Sequence, residues 1–181
     1  MEFLEKPVIY TIGHSVRPLA EFIELLKSFN IGALADVRRF AGSKRYPWFS
    51  KENLEMVLPE NNIEYIHFEA LGGRRKVQPN SVNNRWKNES FRGYADYMQT
   101  EEFIQSIIKL ENLARTRRTA FMCSEAVWWS CHRSMISDYL KAKGWDVEHI
   151  MNRGKVEEHP YTNAARISNG KVFYSDVSLF D

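Results

Sequence analysis

A chain of 181 residues is long enough for one domain with a sizeable core, and 44% apolar with 27% charged residues excludes a disordered or fibrous class. A formal charge of +2 is too small to imply a nucleic-acid partner, so that argument must rest on where the arginines lie. No apolar run approaches the roughly 20 residues that cross a bilayer. The stretch Met1-Glu2-Phe3-Leu4-Glu5-Lys6 lacks a signal-peptide core, and only two cysteines are present, so the expectation is a cytoplasmic protein with no membrane contact.

In chain order, the β-branched run Val8-Ile9-Tyr10-Thr11-Ile12 predicts a first strand, broken at Gly13. Pro18 suits the first turn of a helix whose Leu19, Phe22, Ile23 and Leu26 share one face. Residues 31–37 predict a second strand and 41–49 a polar loop. Ser50 is placed to cap the next helix, with Glu52 in its first turn. Residues 63–68 predict a third strand ended by Gly72-Gly73, and 74–89 a long surface loop of the kind that carries function. A short helix follows over 91–98. Thr100 caps a longer one, with Glu101 and Glu102 in its first turn and Phe103, Ile104, Ile107 and Ile108 expected on its buried face. Strand four is expected at 119–122, a helix with Met135, Ile136, Tyr139 and Leu140 on one face comes next, and strand five lies at 146–151. Beyond Arg153 the pattern loosens, although Asn169-Gly170 predicts a hairpin turn. The expected fold is a single α/β domain over 1–181. It has an open, mostly parallel sheet of about five strands, helices on both faces and a C-terminal extension able to form a hairpin.

Parallel strands put their carboxyl ends on one edge, where α/β proteins bind ligands. Chemistry-bearing residues recur at those ends: Gly13-His14-Ser15, Asp36-Val37-Arg38-Arg39, Glu69 with Gly72-Gly73-Arg74-Arg75, and Cys123-Ser124-Glu125. The densest segment runs from Cys123 to Arg133 and holds both cysteines with Glu125, His132 and Arg133. With Ser130 as a helix N-cap, Cys131 falls in the first turn, where the dipole and adjacent cations favour a thiolate. Cys123, after a buried strand, is expected to have a raised pKa, so Cys131 is the expected nucleophile and Cys123 a resolving or core residue. His14, His132, Asp36 and Glu125 complete the catalytic candidates as acid–base groups. Guanidinium forks suit phosphate and carboxylate, so Arg38, Arg39, Arg74, Arg75, Arg92 and Arg133, together with Ser43 and Tyr94, are the substrate-binding candidates.

The seven residues between the cysteines do not match a zinc knuckle, so no metal is assigned and no cofactor is implied. Three readings compete. The first is an enzyme acting on an anionic substrate, phosphate-bearing, nucleotide-like or nucleic acid. The second is a noncatalytic nucleic-acid module using the same arginines and the loop aromatics Tyr46, Trp48 and Trp86. The third is a small metalloprotein. Trp128 and Trp129 are read as core filler or pocket wall, and His67, His149 and His159 as structural.

The chain resembles the family named domain of unknown function 488. The resemblance is carried by Tyr10-Thr11-Ile12-Gly13-His14-Ser15, Asp36-Val37-Arg38-Arg39, Tyr46-Pro47-Trp48-Phe49, Leu71-Gly72-Gly73-Arg74-Arg75, Phe91-Arg92-Gly93-Tyr94-Ala95-Asp96-Tyr97-Met98, and Cys123-Ser124-Glu125 with Cys131-His132-Arg133. It departs at Ala41-Gly42, where members often carry proline. The resemblance implies an α/β fold with these motifs in one cleft, and it implies no particular reaction.

Overall fold

The structure is a computed structural model that describes residues 5–177. Most of the charged N-terminal stretch, residues 1–4, lies outside the described part. A six-stranded sheet forms the middle layer, in the order β3-β2-β4-β1-β5-β6, with β1 at Val8–Gly13, β2 at Ala33–Asp36, β3 at Glu64–His67, β4 at Thr119–Cys123, β5 at Asp146–Asn152 and β6 at Lys155–Glu158. The first five strands are parallel, and β6 turns back antiparallel on β5. This edge strand is absent from the sequence expectation because its burial runs exposed-exposed-half-exposed-exposed, which leaves no apolar alternation to read. A separate hairpin pairs β7 at Arg166–Ser168 with β8 at Lys171–Phe173. Asn169 and Gly170 join them with φ of 50° and 71°, the left-handed pair that a type I′ turn requires.

Alternation along the central strands feeds two cores. Tyr10, Ile12, Ala120 and Met122 pack with α1 (Leu19–Ser28) and α2 (Lys51–Glu60) on one face. Ile9, Phe121 and Cys123 pack on the other face with α3 (Glu89–Tyr97), α4 (Glu101–Thr116) and α5 (Arg133–Ala142). The caps follow from short polar side chains: Ser50 Oγ accepts from Asn53 N–H, and Thr100 Oγ1 from Phe103 N–H. One helical face differs from expectation. Ile108 is exposed, and Leu110 and Glu111 take the buried positions of α4, with Glu111 accepting from the Trp145 indole at 2.9 Å.

The topology also places the site. From β1 the chain crosses to β2 on one side, and from β4 it crosses to β5 on the other. The neighbours β1 and β4 therefore flank a switch point, and the crevice opens at their carboxyl ends. Register pairs Gly13 with Cys123 and Asp36 with both Met122 and His67, so the four polar strand ends lie level along one edge.

Candidate active site

Two close backbone approaches shape the crevice. His14 N–H donates to the Cys123 carbonyl and Ser15 N–H to the Ser124 carbonyl, each at 3.0 Å. A Cβ on Gly13 would lie 1.8 Å from the Glu125 carbonyl oxygen, so only glycine lets the loop after β4 cross here. Gly72 plays the same part against Arg39, whose Cα would lie 2.4 Å from an added Cβ.

Into the resulting cleft of about 860 Å³ the fold brings His14, Arg38, Arg39, Ser43, Arg74, Tyr94, Cys123, Glu125, Cys131 and His132. Asp36 lies just below, fully buried, and receives Arg38 in a fork: Nε to Oδ1 at 2.8 Å and Nη2 to Oδ2 at 2.6 Å. Tyr65 Oη also donates to Oδ2, at 2.5 Å. These donors occupy the carboxylate, so Asp36 acts as the counter-ion that fixes Arg38 rather than as a proton acceptor for substrate.

Both imidazoles are neutral at physiological pH. His14 donates from Nδ1 to the Ser15 carbonyl at 2.9 Å and presents Nε2 to Arg38 Nη1 at 3.4 Å, while its ring stacks on Phe49. Burial, reinforced by the Arg38 charge, lowers its pKa to about 4. His132 donates from Nε2 to the Val37 carbonyl at 2.8 Å, which turns Nδ1 toward Gly73 on the cleft wall. Burial and the charges of Arg133 and Arg75 hold it at about 4 as well.

The two sulfurs meet at 2.9 Å on the cleft floor, and both thiols are free. Their order of acidity reverses the sequence expectation. Cys131 has an extended backbone two residues before α5, because Trp128–Ser130 form a separate short turn and His132, not Ser130, stands at the helix N-cap position. Cys131 gains no first-turn position. Its thiol is pushed well above the usual range by hydrogen bonding to Cys123, by burial and by the Cys123 charge. Burial would also raise Cys123, but the Cys131 hydrogen bond and the Arg133 charge outweigh it and bring the thiol down to about 7. These directions make Cys123 the candidate thiolate, with Cys131 as its donor.

Arg133 supplies the positive charge beneath this pair. It is 2% exposed, donates from Nη2 to the carbonyls of Glu125 and Ala126, and leaves Nε without a partner. Among the described residues no carboxylate pairs with it. A buried guanidinium without a counter-ion is costly, and a thiolate on Cys123 would supply negative charge near it.

Other expected contacts lie elsewhere. Arg133 does not line the cleft. Arg75 is turned away over the Tyr97 ring, with its guanidinium 3.6 Å from the ring centroid, and Arg92 Nε donates to the Trp86 carbonyl. Both are structural braces in this arrangement. Trp86 and Trp48 are half-buried: Trp86 packs against the core, and the Trp48 indole donates to the Arg17 carbonyl at 3.1 Å. The exposed aromatic at the cleft mouth is instead Phe40, at 63% exposure. Of the three histidines read as structural, His67 donates to the Arg38 carbonyl at 2.7 Å, and His149 and His159 form a buried line that the sequence does not reveal. Thr11 Oγ1 meets His149 Nδ1 at 2.6 Å, His149 Nε2 meets His159 Nδ1 at 2.9 Å, and His159 Nε2 meets Asp138 Oδ1 at 2.8 Å. Their spacing has no motif, and only the pairing of β1 with β5 and the fold-back after β6 bring them together. Among the described residues, no three His, Cys, Asp or Glu side chains are grouped to hold a metal ion, and no helix is long and apolar enough to cross a membrane.

The family model for domain of unknown function DUF488 matches residues 18–140. The chain belongs to the DUF488 family. Among curated proteins and among solved structures, none matches it. The DUF488 match covers the strand ends bearing Arg38, Arg74 and the Cys-His-Arg segment, whereas His14 and the His149–His159 pair fall outside it.

Proposed function

We propose that this DUF488 protein is a cytoplasmic thiol-dependent enzyme acting on an anionic, phosphate-bearing substrate. Cys123 is the nucleophile, held as a thiolate by the Cys131 S–H and the Arg133 charge. His132 Nδ1 and the exposed Glu125 carboxylate stand on the cleft surface as proton carriers. Arg39, Arg74 and Arg45 line the same cleft and engage the anion, while Arg38 is held back by Asp36. The observation that carries this reading is a close sulfur pair on the floor of an arginine-lined cleft, near a buried guanidinium that among the described residues has no carboxylate partner.

Protection from alkylation tests it. Phosphate monoesters should slow iodoacetamide modification of Cys123 saturably, and Arg39→Ala with Arg74→Ala should remove that protection. Failure of every phosphate-bearing compound to protect Cys123, with the thiol still reactive, would remove the substrate class. The 2.9 Å sulfur contact also favours a second reading, thiol–disulfide exchange. Under that reading a disulfide substrate is reduced as the pair closes, so Cys131→Ala would trap a mixed disulfide on Cys123.

A further inference from the structure

We propose that Phe40 is the platform for a planar base, so that the phosphate-bearing substrate is a nucleotide; this rests on the anionic-cleft reading above. Phe40 follows Arg38 and Arg39 at the cleft mouth and, at 63%, is the most exposed aromatic side chain among the described residues. The guanidinium of Arg39 lies 5.6 Å from its ring centroid and that of Arg74 5.9 Å, within the range of cation–π attraction. Phe40 nevertheless stays mostly exposed with both cations over its ring, so aromatic surface remains open to a ligand.

The posture of the flanking arginines is built in. Arg74 has φ of 60°, a left-handed conformation that a non-glycine residue rarely holds, and its carbonyl accepts from Arg39 Nη1 at 2.7 Å. Among the described residues neither Arg39 nor Arg74 pairs with a carboxylate, so both charges remain available to an anion. Val16, 66% exposed, adds a second apolar side chain to the same cleft. An inorganic anion or sugar phosphate would leave Phe40 and Val16 unused. A flat ring joined to a phosphate uses the aromatic face and the cations together, as single-stranded bases do on their binding proteins.

A phosphorylated aromatic amino acid also has a ring and a phosphate. The same cleft is also lined by Ser90 and Asn88, whose hydroxyl and amide N–H are groups that a base, unlike a carbocycle, can hydrogen-bond; Asn88 Oδ1 is already taken by the Ser90 backbone N–H at 2.8 Å.

The test is calorimetric binding of adenosine monophosphate, ribose 5-phosphate, phosphotyrosine and inorganic phosphate to the full chain and to Phe40→Ala and Phe40→Trp. The expected result is an advantage of adenosine monophosphate over ribose 5-phosphate on the order of ten-fold, the size of one base–aromatic stack. Phe40→Ala should erase this difference and Phe40→Trp should keep it. A short single-stranded oligonucleotide distinguishes the source of the base. Tighter, strongly salt-dependent binding assigns a strand, and weaker binding a free nucleotide. Equal affinity for adenosine monophosphate and ribose 5-phosphate, or a preference for phosphotyrosine, overturns the base platform while leaving the anionic cleft intact. No binding of any phosphate compound overturns both.

Discussion

Replacing Cys131 by alanine removes the S–H that lies 2.9 Å from the Cys123 sulfur and leaves the buried Arg133 in place. A hydrogen bond to a charged group is worth roughly 1.5–3 kcal/mol, and about 1.4 kcal/mol corresponds to one pKa unit. The Cys123 thiol, at about 7 in the native protein, should therefore rise by roughly one to two units. At pH 7 the thiolate fraction falls from about half to somewhere between about a tenth and a hundredth. A more basic thiolate is also intrinsically more nucleophilic, with a Brønsted slope of about 0.4–0.5. The net alkylation rate at pH 7 should then drop only about two- to six-fold, while the high-pH plateau rises by roughly three- to eight-fold.

This crossing of the two pH profiles is the signature to seek, in iodoacetamide rates from pH 5.5 to 10 with the modified sulfur mapped by mass spectrometry. Cys131→Ser keeps a donor and should shift less than Cys131→Ala. In Cys123→Ala the remaining thiol stays buried, which still disfavours its thiolate, and should react slowly at neutral pH. An alkylation midpoint that stays near 7 in Cys131→Ala would refute the reasoning, because the donor would then contribute nothing to thiolate stability.

Acid should unfold the protein early. His14 and His132 are buried neutral with pKa near 4 against 6.5 unfolded, so their stability is complete above about 6.5 and is lost as pH falls through 4. Each costs roughly 3 kcal/mol by pH 4, and together on the order of 6 kcal/mol, comparable to the whole stability of a small domain. Urea midpoints that stay flat from pH 6.5 to 4.5 would contradict this. Asp36→Asn strands the buried Arg38 charge and should destabilise by about 3–5 kcal/mol in urea unfolding. Adding Arg38→Met should recover part of that loss, and a double variant no more stable than the single one would mean that the charge was not the cause. Gly13→Ala, whose Cβ meets the Glu125 carbonyl, should lower Tm sharply, whereas Gly42→Ala, with nothing within 4 Å, should be close to neutral.

The residues that announced the site share one property: each stands at or just after the carboxyl end of a strand whose apolar run is easy to read. Val8–Ile12, Thr119–Met122 and the 31–37 run fix where His14, Cys123 and Asp36 fall, and parallel pairing does the rest. The signals that failed were local inferences about helix ends and exposure. Ser130 has a capping residue type, but it closes a short turn by donating to the Val127 carbonyl, and the helix starts later. The dipole support for Cys131 as the more acidic thiol falls with it, because that support needed Cys131 inside the first turn. Arg75 and Arg92 have the same chemistry as Arg39 and Arg74, and only tertiary packing separates the braces from the free cations. Phe40 had no pattern at all, since an exposed aromatic in a loop is visible only once its neighbours fail to cover it.

The sulfur contact also depends on residues beyond the stretch that defines the family. Cys131 follows the Trp128–Ser130 turn, and Trp128 is stacked flat on His149 at 4.6 Å with 4° between the rings. His149 is in turn fixed by Thr11 from β1 and by His159, which donates to Asp138 on α5. Asp138 also accepts from the Thr162 hydroxyl at 2.6 Å and from the Tyr174 hydroxyl at 2.9 Å, so the segment after β6 is tied to the same carboxylate. The family segment supplies both sulfurs and Arg133, while His149, His159, Thr162 and Tyr174, all outside residues 18–140, hold the turn that carries one sulfur against the other. The C-terminal extension therefore helps to position Cys131 beside Cys123, although among the described residues none of its side chains lines the cleft.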